Sequence, residues 1–241
     1  MTPTKLSGAL LLISALVLTG CGSSDGKSAP KPSASTPTSK PPPTYTAAQV
    51  ERGLLAPAEI GSGVEQIRTV ADVLKNGGVP ICSLSAGKLD GSPQVTSRQF
   101  SNKADAKDEV KYTQVIARYD TPSNATAAFE ALKTKAESCP PKQHVAPRKV
   151  RENFTVYAHD DTWKLNEDRI LDWRRIRGTE QQKYSASTTK YNIFHVFYDY
   201  AVQGNLIVAT MYYERTEPKK SGDPIAKRAT EVLTRQLQRF A

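Results

Sequence analysis

Apolar and polar positions alternate almost without a break over residues 191–215, "YNIFHVFYDYAVQGNLIVATMYYER". An alternation of period two marks strands with two distinct faces. Gly204-Asn205 interrupts it with a two-residue turn signal, which predicts a hairpin pairing Gln203 with Leu206. In that register His195 lies opposite Glu214, Phe197 opposite Tyr212, and Asp199 opposite Thr210. These six residues form a polar face with two aromatics. The other face carries Phe194, Val196, Tyr198, Ile207, Ala209 and Met211, and is expected to pack under helices.

Other segments follow helical or strand periods. Residues 47–55 read as a short helix, and "EQIRTVADVLKNGG" places Ile67, Val70, Ala71 and Leu74 at helical spacing before a Gly-Gly stop. "QVTSRQF" and "EVKYTQVIARYD" are strand-like. In "DTPSNATAAFEALKTKAESC", Thr121 is placed to cap a helix with Pro122 at its first position, and Phe129, Leu132, Ala136 and Cys139 share one face. Strands are expected near 153–159 and over "RILDWRRIRG". "AHDDTW", around His159, reads as a polar loop. The last helix is "DPIAKRATEVLTRQLQRF", capped by Asp223, with an apolar stripe of Ile225, Ala229, Val232, Leu233, Leu237 and Phe240. The fold class is α+β: an antiparallel sheet packed with helices, as one domain over 47–241.

Residues 1–20 have a different pattern. Lys5 precedes the apolar run "ALLLISALVL", which rises about 15 Å as a helix and suits a secretory signal rather than a span. The run meets "LTGC", which resembles the lipobox of bacterial lipoproteins. That resemblance implies lipidation at Cys21 and cleavage before it. Attachment by two acyl chains is firm where one is marginal. Residues 21–46 are rich in Ser, Thr, Pro and Lys, and have too little to bury to offset their ordering entropy. They read as a spacer that reaches at most about 80 Å when extended; its composition also fits an O-glycosylated stalk. The expected location is the extracytoplasmic face of the cell membrane, with the membrane engaged through the lipid.

The whole chain of 241 residues has a net charge of +9. Without the leader's Lys5 and the spacer's charges, the domain retains +6. That excess favours anionic surfaces, such as phospholipid headgroups or an anionic envelope polymer. Nucleic acid is not an expected partner of an exported lipoprotein. With Cys21 lipidated, Cys82 and Cys139 form an even pair in an oxidising compartment and read as a disulfide. It closes a loop of about 58 residues, worth roughly 4 kcal/mol on a chain-entropy model. A redox-active pair is the alternative, but the close Cys-x-x-Cys spacing is absent.

Candidate chemistry is sparse. The domain over 47–241 has no G-x-S-x-G elbow, the chain has no H-E-x-x-H and no Gly-rich phosphate loop, and His144, His159 and His195 lie in separate segments. No catalytic activity, metal or cofactor is expected. In "DWRRIRG", Trp173, Arg175 and Arg177 share one strand face. Arginine forks beside an indole suit an anionic group with an apolar part; the same charges also suit an edge strand protected from pairing. The hairpin's polar face, His195, Phe197, Asp199, Thr210, Tyr212 and Glu214, is the other candidate for ligand contact, set against a simply solvated surface. The pairing with Glu214 is expected to raise the pKa of His195.

Three stretches together resemble the PknH-type extracellular sensor domains of actinobacteria: "LLAPAEIG", "ARYDTPSNATAAFEALKTKAESC", and the hairpin followed by a terminal amphipathic helix. The resemblance covers residues 47–241. It implies an α+β domain with a cleft that binds an extracellular ligand. Members of that family typically carry two disulfides, whereas one pair is available here. Two functions follow as expectations. One is a lipid-anchored binding or sensor module for a small molecule or envelope polymer. The other is a structural or interaction lipoprotein acting through its basic surface.

Overall fold

A computed structural model describes residues 41–68, 74, 78–102, 107, 109–151, 154–185, 187 and 189–241. The leader, Cys21 and nearly all of the spacer lie outside the described residues. So does most of the helix expected over 65–78.

Eight antiparallel strands make the main sheet, in the order β1-β4-β5-β12-β11-β10-β9-β6. They are β1 (Glu65–Ile67), β4 (Gln94–Ser101), β5 (Lys111–Arg118), β6 (Lys142–Val145), β9 (His159–Ile170), β10 (Trp173–Tyr184), β11 (Ile193–Gln203) and β12 (Leu206–Thr216). Two small ribbons flank the sheet, β2 (Gly78–Pro80) with β3 (Ala86–Lys88), and β7 (Arg148–Arg151) with β8 (Phe154–Val156). The β11–β12 hairpin has the register its alternation predicts, from Gln203↔Leu206 to His195↔Glu214.

Helix α3 (Pro122–Glu137) packs on the first sheet face. Thr121 caps it through a hydrogen bond from Asn124 N. Phe129, Leu132 and Ala136 join Tyr198, Tyr200 and Ile207 in one core. A disulfide joins Cys139, just past α3, to Cys82 in a 3₁₀ turn (Cys82–Leu84).

The second face is covered as well. Helix α4 (Asp223–Gln238) lies across β11 and β12, with the short α1 (Ala47–Gly53) and α2 (Pro57–Ile60) beside it. Its stripe buries Leu233 and Leu237 with Val208 and Leu206, and Val232 with Tyr112 and Tyr212. The polar hairpin face is therefore not a solvated surface: Phe197 and Tyr212 are each 3% exposed and Asp199 is fully buried.

Five local readings are corrected. Residues 65–67 form an edge strand, because they satisfy the outer side of β4 at Gln99–Ser101. "RILDWRRIRG" is not one strand; it turns at Leu171-Asp172, with Leu171 at φ 53° and Ile170 paired to Trp173. The polar loop around His159 is the start of β9, whose inward positions bury His159 and Asp161. β10 therefore lies inside the sheet, between β9 and β11, and is no charge-protected edge. At the last helix, Gly222 rather than Asp223 takes the N-cap position.

Residues 41–46 cross the end of the sheet where β11 turns into β12. Gly204 has φ +54°, a conformation glycine adopts without strain, and a side chain there would strike the Pro43 carbonyl. Asn205 then clamps the incoming chain. Its Oδ1 accepts from Tyr45 N at 2.7 Å, and its Nδ2 donates to Tyr45 O and Tyr119 O. Tyr45 packs with Trp173 and Phe240.

Candidate functional site

The alternation of β10 sends Trp173, Arg175, Arg177, Thr179 and Gln181 to the face that α4 covers. Helix α4 is too narrow to cover all of it. Under the helix, polar groups find protein partners. Arg177 donates to both oxygens of Asp199 at 2.7 Å and to Thr230 Oγ1 at 2.7 Å. Arg175 donates to both oxygens of Asp168 and stands 3.5 Å from Asp199. Glu214 is held at both oxygens by Arg228 and accepts from Tyr212 Oη at 2.6 Å. Tyr112, Gln236 and Gln114 form a buried chain of hydrogen bonds.

Beyond the helix the sheet opens into a cleft of about 410 Å³, between β9–β10–β11 and the first turn of α4. Two rungs run across its floor. Thr162, Gln181 and His195 are cross-strand neighbours, and Lys164, Thr179 and Phe197 are the next row. Gly222, Asp223 and Ala226 form the wall. Gly222 must be small, because a Cβ there would strike the His195 ring. The side chains of Thr162, Lys164, Thr179, Gln181 and Asp223 make no hydrogen bond or ion pair among the described residues. The helix end adds no free donor: Asp223 N donates to Ser221 Oγ, Pro224 has no N–H, and Ile225 and Ala226 donate to Gly222 O.

The sequence candidates divide between these two settings. His195, Phe197 and Arg177 line the cleft. Asp199, Thr210, Tyr212, Glu214, Trp173 and Arg175 lie within the packed interior or at its margin, most with partners of their own. His195 bonds Thr216 Oγ1 rather than Glu214. Its pKa is lowered, not raised, because burial outweighs the attraction of Glu214 and Asp223. Thr162, Lys164, Thr179 and Gln181 escaped sequence reasoning. Their T-x-K and T-x-Q spacing points to one face only once β9 and β10 are recognised as a hairpin.

A second polar cluster lies on the α3 face. Glu180 accepts from Ser83 N, Tyr198 Oη and Gln182 Nε2, and Asp161 accepts from Ser83 Oγ at 2.6 Å. Burial, with Asp161 nearby, raises the Glu180 pKa. These carboxylates secure the turn that carries Cys82.

Fold and site together define a class: an α+β domain with a twice-covered antiparallel sheet and one polar cleft beside its last helix. No protein-family model and no curated protein matches the chain. Among solved structures it is similar to the extracellular domain of PknH from Mycobacterium tuberculosis. The identity is 12% and the TM-score 0.48, over 81% of this chain and 98% of that one.

Proposed function

We propose that the chain is a lipid-anchored, non-catalytic binding module of the extracytoplasmic membrane face, and that its ligand sits in the cleft of β9, β10 and β11. One observation carries this reading. Five polar side chains from two strands and a helix converge there without hydrogen-bond or ion-pair partners among the described residues, whereas their counterparts under α4 are paired. The volume falls within the range of small-molecule sites, roughly 300–1,000 Å³. The lipobox at Cys21 and the spacer supply the anchor. The chain enters the domain at the β11–β12 turn, and His195 lies about 27 Å along β11 from that turn at a strand's rise per residue. The cleft thus lies toward the opposite end of β11 from the point of entry.

Replacing Cys21 with Ser is expected to release the protein from membranes; retention after a high-salt wash contradicts the anchor. Thr179→Trp fills the cleft from an open strand position. Native mass spectrometry should find a bound small molecule on the wild-type chain from its own membranes and none on the variant. The same adduct on both places the ligand elsewhere.

A further inference from the structure

From the charges around the cleft we infer that its ligand is a polyhydroxylated anion, an acidic saccharide in chemical class. The inference rests on the cleft being the binding site. Lys164 stands in the cleft. Lys183 follows Gln181 on the same strand face, paired across to Asp160 on β9 and Ile193 on β11. Lys219 and Lys220 occupy the turn that leads into the Gly222–Asp223 wall. All four are exposed and form no ion pair among the described residues. The nearby acids are fewer. Glu217 is paired with Lys190, while Asp160, hydrogen-bonded to His144 and across from Lys183, and Asp223, the carboxylate that lines the cleft, stand against four lysines.

The deeper groups add no net charge. Arg177 is neutralised by Asp199, and burial favours neutral His195. The cleft therefore has a cationic rim over a floor of two hydroxyls, one amide, the His195 imidazole and the Phe197 ring. Lysines attract carboxylate, phosphate or sulfate groups as point charges. Thr162, Thr179 and Gln181 offer both donors and acceptors, which suits hydroxyl groups, and the Asp223 carboxylate accepts only. A simple polyanion without hydroxyls meets Asp223 as a repulsive element, so the acid selects for hydroxyl-bearing ligands.

Isothermal titration of the full chain in detergent, at low and moderate salt, tests this. The probes are a short oligogalacturonate, its neutral methyl ester, and polyglutamate, with phosphatidylinositol vesicles, mixed without detergent with the Cys21→Ser chain, as the lipid arm. Oligogalacturonate should bind best. Its affinity should fall about tenfold in Lys164→Gln/Lys183→Gln, in line with screened charge contacts. Asp223→Asn should improve polyglutamate binding more than oligogalacturonate binding. Equal binding of the methyl ester, lost in Thr179→Trp, keeps the cleft as a site and overturns its anion preference. Equal binding of oligogalacturonate and polyglutamate, unchanged by Thr179→Trp, overturns the inference in favour of a generally basic surface. Binding confined to the vesicles overturns the saccharide in favour of a headgroup. No binding of any probe overturns it outright, while leaving the cleft to be judged by its native adduct.

Discussion

Two halves of one sheet face differ in how they treat polar side chains. Under α4, Arg177, Asp199, Thr230, Glu214, Tyr212 and Arg228 satisfy one another. In the cleft beside it, Thr162, Lys164, Thr179, Gln181 and Asp223 have no side-chain partner among the described residues. Residue types alone do not separate the two, since both halves contain charge, hydroxyls and an aromatic. The separation is made by α4, whose apolar stripe seats it over β11 and β12 and leaves β9 and the outer half of β10 bare. Buried polar groups must be paired to be tolerated, whereas exposed ones need no internal partner. The paired half thus belongs to stability and the unpaired half to recognition.

The sharpest way to break this contrast is Asp199→Ala. It strands the Arg177 guanidinium, and Arg175 beside it, in a buried setting. The cost should be about 3–5 kcal/mol, as when one partner is removed from a buried pair. Denaturant titration measures it, and a loss below about 1 kcal/mol would mean that the triad is solvated.

Tyr212→Ala comes next. Tyr212 is buried like Tyr198 on the opposite face, at 3% and 0% exposure. Both replacements should cost roughly 3 kcal/mol or more. A thermal midpoint for Tyr212→Ala close to wild type would show that α4 does not seal its face.

A pH effect of intermediate size follows from His195. Its folded pKa lies below the ordinary 6.5, so its contribution to stability is complete above that value and is lost as pH falls through the folded pKa. Glu180 runs the other way: its raised folded pKa makes its contribution fullest below 4.5 and lost as pH rises. His195→Asn should flatten the first slope and Glu180→Gln the second, as read from stability against pH. The smallest effect is expected for Gln181→Ala, within about 0.5 kcal/mol of wild type, as for an exposed position without special contacts.

Much of this fold is legible where local pattern and long-range packing agree. The β11–β12 register follows from unbroken alternation around Gly204-Asn205, and α3 from Thr121, Pro122 and a clean apolar face. The Cys82–Cys139 bridge follows from counting. The β9–β10 hairpin is hidden because its turn is Leu171-Asp172, where a left-handed leucine gives no turn signal. That single omission turns β10 into an apparent edge and removes half the cleft floor. The burial of His195 and Asp199 is hidden for another reason. Thr230, and Gly222 against the His195 ring, are many residues away in sequence, so the polar face reads as wet until α4 is laid on it.

Hydrogen–deuterium exchange tests the central claim most directly, comparing the full chain as taken from its native membranes with the same chain stripped of bound small molecules. The account predicts added protection in the native material at residues 162–164, 179–181 and 195–197, with none at 204–214. Equal exchange in the two samples, or protection confined to the β11–β12 turn, would contradict it.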